Sequence, residues 1–426
     1  MWRVLYYFPK FFKNQYIKPE NLKKFQEKRL RYIVNFAYKH VKVYKEKFKN
    51  ASIIPSDITT LDDLHKIPII TKDEIKVNYP AGSVTPGYTE QNCIIEHTSG
   101  TTGNMLKILY DPISYSCLTA GTYRDHFAQG VRPWHKFCIM CRDPEEFEGA
   151  TESLMRTCGI LEGRPEEELV EQLRIHNPDI IGAHPSLVAS MAKVIEDKGI
   201  KDITPQFILV GGEVAHLPVR QYIEKVFSCP TLNKYGAYEA FSMAWECKHR
   251  NMHISADSVI LEFLKDGEPV APGERGEIVV TNLWNEAMPF IRYRLEDMGI
   301  PSDGTCECGR SFPLVEEIEG KFDDFIVLPS GKLVPSTRVI PFFFIVPKIG
   351  EFKMIQDKRT HVICRIVPLK GFTDAMEKAL IQKIEAVLGE SVGVDVEKVT
   401  HIDHTGTGKF KRVQRLFTAD LLFEGK

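Results

Sequence analysis

Apolar residues recur along this chain first at helical spacing and then in strand-length runs. Between residues 19 and 48, Leu30, Ile33, Val34, Ala37, Val41 and Tyr44 fall three and four apart with lysine and arginine on the other face, which predicts one long amphipathic helix. Residues 59–64 predict a short capped helix closed by Pro68, and residues 69–75 a second N-capped turn. From 111 to 205 the two periods alternate. Helices are predicted over 114–128, 165–177 and 185–198, and strands over 137–141, 179–183 and 207–210. That rhythm indicates an α/β domain with parallel strands.

After Thr231 the texture changes to short β segments at 261–264, 276–281 and 290–294 between Gly/Pro turns, as in a small barrel or antiparallel sheet. Beyond Asp324 the pattern is of a compact unit with strands near 325–328 and 362–367, a helix over 373–388, and a final loop Gly406-Thr407-Gly408-Lys409. A length of 426 residues exceeds one comfortable core, so at least two domains are expected. With 43% hydrophobic and 26% charged residues the chain reads as an ordinary soluble globular protein. Its formal charge of −2 gives no global attraction to nucleic acid or to an anionic membrane, and no apolar run is long enough for stable membrane insertion. The apolar N-terminus lacks a cleavage site; its aromatics could touch a membrane, but docking on the body of the protein is expected. Ten scattered cysteines fit a reducing cytoplasm, with Cys138 and Cys141 as packing thiols in a buried strand.

The densest chemical signal is six consecutive small residues: Thr98, Ser99, Gly100, Thr101, Thr102 and Gly103. Bare backbone and hydroxyls there can converge into a donor-rich nest suited to phosphate oxygens. Lys107 could add a point charge if the loop folds back. The spacing is not that of the common P-loop. In open α/β sheets ligands sit at the carboxyl ends of strands, where Gly182, His184, Gly211 and Glu213 would fall.

Four further motifs follow in order: Gly211-Gly212-Glu213, Tyr235-Gly236-Ala237-Tyr238-Glu239, Arg292-Tyr293-Arg294-Leu295-Glu296-Asp297, and Gly408-Lys409. Together with the hydroxyl loop they resemble the adenylate-forming (acyl-activating) superfamily, and within it the phenylacetate–CoA ligase and CapK-like branch. The helix around Gln26 and Arg31, Pro68 to Asp73, and Cys306-Glu307-Cys308-Gly309-Arg310 extend the likeness over nearly the whole chain. The resemblance implies a large α/β domain, residues 1–323, with parallel sheets and a small β-barrel-like part. A small mobile α+β lid, residues 324–426, would hinge at Asp324.

It also implies ATP-dependent activation of a carboxylic acid, aromatic or arylacetic, to an acyl-adenylate with pyrophosphate release, and then thioester formation with CoA. The 98–103 loop would hold the β- and γ-phosphates, with Gly212, Glu213, Tyr235, Gly236, Ala237 and Tyr238 around the nucleotide. Glu239 would carry Mg²⁺. Asp297 would accept the ribose hydroxyls, since one carboxylate takes two O–H donors. Lys409 would stabilise the charge of the adenylation transition state. His184, Gly211 and Met243 would border the acid. Three residues depart from the family pattern: Tyr238 where a small hydroxyl residue is usual, Glu296 where glycine is common, and Lys321 for arginine, which removes a planar fork of donors. Two alternatives share the resemblance: nucleotidyl transfer as in F390 synthetase, and CapK-like activation of an acid for capsular polysaccharide. A third, of another class, is a nucleotide-binding protein without turnover. A homodimer is compatible with the sequence.

Cys247, His253, Cys306 and Cys308 resemble a Cys₃His zinc site, with His249 as a competing ligand. Zinc there would tie the loop after the magnesium motif to the loop after Asp297.

Overall fold

The computed structural model describes residues 2–98, 106–141, 156–162, 164–321, 325–331, 333–340, 342–343, 346–389, 391–402 and 413–417. They form two units. Among the described residues, the larger runs up to Ile318 apart from His216–Gln221, and the smaller comprises those six and the residues from Glu319 onward.

The larger unit opens with three helices, α1 (Trp2–Asn14), α2 (Pro19–His40) and α3 (Lys42–Asn50). The single helix expected over 19–48 breaks at Val41, which is extended at φ −112° and ψ 116°. The break lets Leu30, Ile33 and Val34 on one segment and Val43, Tyr44 and Phe48 on the other enter the same core. A 3₁₀ turn (Leu61–Lys66) and α4 (Lys72–Val77) follow. At α4 the Thr71 hydroxyl accepts the Glu74 N–H while the Glu74 carboxylate accepts the Thr71 N–H at 2.8 Å, so two orphan donors are satisfied reciprocally.

Strands β1 (Ile94–His97) and β2 (Lys107–Tyr110) pair antiparallel, from Ile94 opposite Tyr110 to His97 opposite Lys107. The alternating region supplies α5 (Pro112–Gln129), β3 (Lys136–Cys141), β4 (Arg156–Leu161), α6 (Glu166–His176), β5 (Ile180–Ala183), α7 (Pro185–Lys198), β6 (Phe207–Gly211) and α8 (Leu217–Phe227). Then come β7 (Thr231–Ala237), β8 (Phe241–Glu246), β9 (Met252–Ile254), β10 (Val259–Lys265) and β11 (Glu268–Pro269). The run ends with β12 (Gly276–Asn282), β13 (Tyr293–Ser302) and β14 (Leu314–Lys321).

All of these strands but β1 and β2 lie in one sheet, ordered β11-β10-β12-β13-β14-β9-β8-β7-β6-β5-β3-β4. From β4 to β7 neighbours run parallel, as the alternation predicts; beyond β7 the described pairings are antiparallel. The texture change at Thr231 is therefore a change of direction within one ladder, and the expected barrel-like part is its antiparallel half.

An ion cluster is buried inside this unit. Arg124 donates to Asp125 at 2.6 Å and to Asp257 at 3.0 Å, all three with no exposed side-chain surface, and Asn14 of α1 donates to Asp257 at 3.1 Å. Cys138 corrects the sequence reading. It faces Cys158 in the β3–β4 register and forms a disulfide with it, so it is not a packing thiol. Parallel neighbours place the two Cα atoms 4.7 Å apart, within bonding reach.

The smaller unit pairs β15 (Phe325–Val327) with β16 (Leu333–Pro335) and builds a second sheet. That sheet comprises β17 (Ile349–Lys358), β18 (His361–Pro368), β19 (Gly393–Lys398) and β20 (Val413–Arg415), in the order β19-β18-β17-β20. Helix α9 (Asp374–Leu388) starts where the Thr373 hydroxyl accepts the Met376 N–H and contributes Leu380, Ile384 and Leu388 to this unit's own core. This is the α+β arrangement expected.

Candidate active site

The turn from β7 to β8 and the middle of β13 carry the candidate chemistry. At the end of β7 a Cβ on Gly236 would lie 2.4 Å from the Phe241 carbonyl oxygen, so only glycine lets the two strands approach this closely. The ladder shifts register between Tyr235 and Gly236. Tyr235 donates its hydroxyl to Asp297 at 2.8 Å. Burial, and then the Asp297 carboxylate, pushes this phenol well above its usual pKa, so it stays a donor.

Asp297 itself is aimed by an irregularity. Val279 pairs with Arg294 but Glu277 pairs with Met298, so four steps on β13 oppose two on β12. Such a bulge re-aims side chains beside a site. Glu296 sits in it at φ +64°, a conformation uncommon for a non-glycine residue, which accounts for glycine being usual there in the family.

Glu239 is buried, and its carboxylate accepts the Tyr293 hydroxyl at 3.1 Å while Asn282 donates to its backbone carbonyl at 2.9 Å. Burial, followed by the Glu239 charge, raises the Tyr293 phenol far above its usual pKa. Tyr110 of β2 donates to the Tyr238 carbonyl at 2.7 Å. Tyr293 is part of the Arg-Tyr-Arg motif, whereas nothing local in the sequence marks Tyr110 or Asn282, which reach the turn only through the fold. Arg292, in the same motif, is a structural pin. It donates to both oxygens of Glu262 at 3.1 and 3.0 Å and to the Ile67 carbonyl at 2.7 Å.

Thr98 closes the foot of the hydroxyl loop: its N–H donates to the Leu106 carbonyl at 3.0 Å and its hydroxyl accepts the Leu106 N–H at 2.8 Å. Ser99, Gly100, Thr101, Thr102 and Gly103 lie outside the described residues, as do Asp324 and Lys409. Lys107 donates to both carboxylate oxygens of Glu90 at 2.8 Å.

At the carboxyl ends of β5 and β6, the His184 ring nitrogen Nδ1 meets the Gly211 carbonyl at 2.9 Å. The same ring lies so close over Gly212, at φ +74°, that a Cβ would meet its Cε1 at 2.4 Å. The Glu213 carboxylate accepts the Ser186 N–H at 3.4 Å, at the start of α7. Ala237 is half-buried at the end of β7, whereas Met243 is wholly buried in the apolar core on β8. Lys321 is exposed at the end of β14. The structure thus gathers Tyr235, Tyr238, Glu239 and Asp297 through Tyr110 and Tyr293, and separately gathers His184, Gly211 and Gly212.

The ligand atoms of Cys247, His253, Cys306 and Cys308 all lie within 4.8 Å of one another. The Cys247 and Cys306 sulfurs are 3.5 Å apart, and the Cys308 sulfur is 3.3 Å from His253 Nε2. Tetrahedral zinc at about 2.3 Å from sulfur gives S···S edges of about 3.8 Å, so the donor set fits such an ion with a small expansion. A second ring of contacts orients it: His253 Nδ1 faces the Phe312 carbonyl at 3.4 Å, and Asn251 donates to the Cys306 sulfur at 3.3 Å. Burial pushes the His253 pKa down to about 4, so the ring is neutral at pH 7 with a nitrogen lone pair available to an ion. His249 is outside the cluster, 3.8 Å from the Glu307 carboxylate.

A family model described as the CapK C-terminal domain matches residues 326–415. The phenylacetate–coenzyme A ligase of Pseudomonas putida is 29% identical over 91% of both chains. That of Thermus thermophilus is 25% identical over 80% of this chain and 79% of its own. These likenesses support the adenylate-forming superfamily, in its phenylacetate–CoA ligase and CapK-like branch. Among solved structures, a 2-hydroxyisobutyryl-CoA ligase in its postadenylation state superposes with a TM-score of 0.82 at 18% identity, covering 95% of this chain and 91% of that one. An anthranilate CoA ligase holding anthranoyl-AMP gives 0.60 at 14% identity, over 93% and 80%. Both likenesses are of fold, and they accord with a mixed α/β chain ending in a small α+β unit.

Proposed function

We propose that this protein activates a carboxylic acid with ATP to an acyl-adenylate, releases pyrophosphate, and passes the acyl group to CoA. The observation that carries the reading is the paired arrangement of Tyr235 with Asp297 and Tyr293 with Glu239. It presents one carboxylate suited to ribose and a second, buried and held by a phenol, suited to a cation shared with phosphates. The relatives' names supply the reaction class. Mg²⁺ at Glu239 would offset phosphate charge; this chain's part is to hold that carboxylate in one rotamer through Tyr293. The 98–103 loop is assigned to the departing pyrophosphate, Lys409 to the charge built at the α-phosphate, and His184, Gly211 and Gly212 to the acid. The division into a large domain and a lid hinged at Asp324 belongs to the same proposal. Mixing the protein with ATP and a panel of aryl and arylacetic acids should release pyrophosphate, and adding CoA should then consume thiol. Pyrophosphate without CoA consumption would leave nucleotidyl transfer; neither signal would leave a binding protein.

The match of residues 326–415 to the CapK model favours, as a second reading, an acid outside the arylacetates, and the same panel separates the two. We also assign a structural zinc to Cys247, His253, Cys306 and Cys308, supported by the donor distances above. Protein purified without added metal should carry one zinc per chain by elemental analysis, and a folded protein with none would refute the site.

A further inference from the structure

Helix α1 carries apolar side chains on both of its faces. Val4, Tyr7, Phe8 and Phe11 face inward, where Phe8 packs on Phe127 at 5.0 Å and Phe11 on Trp284 at 5.4 Å between ring centres. A surface helix ordinarily turns charged residues to the other side. Here the outward stripe is Trp2, Leu5, Tyr6, Pro9 and Phe12, continued by Tyr16 just past the helix, each three or four residues from another of the set. Its large side chains keep between 39 and 73% of their surface exposed. The inward ring contacts hold α1 against the body, so the stripe is presented on a fixed support.

Cations surround this stripe. Arg3 lies over the Trp2 ring at 5.0 Å and Arg310 over Tyr16 at 5.5 Å, Lys10 and Lys13 are exposed on α1, and no acidic residue precedes Glu20. Residues 1–50 hold fourteen lysines and arginines against three glutamates, an excess of eleven, in a chain whose formal charge is −2. Among the described residues, ion pairs within this segment engage only Lys23, Lys42 and Lys47. The near-neutral total therefore conceals a strongly basic N-terminal surface on a body that is −13.

We propose that α1 docks this protein on an anionic lipid bilayer, its aromatic stripe entering the headgroup layer while the surrounding lysines and arginines meet lipid phosphates. Tryptophan and tyrosine favour that interface because each ring has an apolar body and a polar edge, and basic residues beside them add attraction to anionic lipid. A second copy of this chain is disfavoured as the occupant, since it would bring the same excess positive charge to the contact. Nucleic acid would find cations, but Leu5 and Pro9 in the middle of the stripe offer no base-stacking surface.

Co-sedimentation of the full chain with phosphatidylcholine vesicles, with and without phosphatidylglycerol, tests this independently of catalysis. The protein should pellet with the anionic vesicles, remain largely in solution with the neutral ones, and be partly released by salt. Trp2→Ser with Tyr6→Ser, both at exposed positions, should lower partitioning by about tenfold or more without moving the thermal midpoint. Lys10→Glu with Lys13→Glu should weaken it as well. Equal recovery with and without anionic vesicles overturns the proposal. So does a dimer in sedimentation that the Trp2/Tyr6 variant abolishes, or tighter binding to duplex or single-stranded nucleic acid than to vesicles.

Discussion

Tyr293 shows what a single side chain contributes here. Its hydroxyl donates to Glu239 at 3.1 Å in a buried setting, so removing it leaves the carboxylate without that orienting donor. Tyr293→Phe should lower kcat by about tenfold, the equivalent of one lost hydrogen bond to a charged group. Because Tyr293 acts through Glu239, the variant should also need more Mg²⁺ for half-maximal activity. A variant with reduced kcat but unchanged Mg²⁺ dependence would reduce Tyr293 to a packing role. Tyr235 and Asp297 were legible in the sequence as separate motif residues. Their 2.8 Å contact was not, because it depends on a bulge in β13 that no local pattern announces. The same holds for Lys107. Its described partner, Glu90, stands seventeen residues earlier, and nothing in the local sequence pairs the two.

At the scale of elements, the periodic segments were read well where one face is buried. Helix α7 is found over the residues expected, and α9, expected over 373–388, runs from Asp374 to Leu388 with Thr373 as its cap. Two failures have physical causes. Val41 breaks a regular amphipathic pattern because both halves gain burial by bending. Cys138 pairs with Cys158 because strand order, which sequence spacing does not reveal, makes them neighbours. Within the smaller unit, His361 of β18 lies 2.7 Å from Asp357 and 3.1 Å from Asp395 of β19. Hydrogen bonding to Asp395 and then Asp357 raises its pKa above the ordinary 6.5. A raised pKa means the native state binds the proton more tightly. The stabilisation is therefore full below about 6.5 and is lost as pH rises through the native value. The thermal midpoint of wild type should exceed that of His361→Gln at pH 6 and converge with it by pH 9. A difference that grows with pH would contradict the assignment.

For the whole molecule, two units with separate cores suit a reaction in two steps. Lys409 lies outside the described residues, and its role is tested by separating those steps. Lys409→Ala should slow adenylation on the order of 10²-fold, as the loss of one preorganised charge does, and nearly spare thioester formation from supplied acyl-adenylate. Equal losses in both would mean that Lys409 serves both steps or only the fold. Family and reaction class were readable because five motifs stand in a fixed order. The aromatic and basic residues of the N-terminal segment stand in the sequence, but their presentation on an exposed face of α1 does not, because which positions dock on the body is decided by the fold.

The central claim, that an acid carboxylate attacks the α-phosphate of ATP, can be read from the fate of oxygen. An acid from the panel, labelled with ¹⁸O in its carboxyl group, is turned over with ATP and CoA, and the nucleotide product is weighed by mass spectrometry. Attack at the α-phosphate followed by thiol displacement at the carbonyl leaves one ¹⁸O in AMP. Label in inorganic phosphate alongside ADP, or AMP without label, would contradict the account.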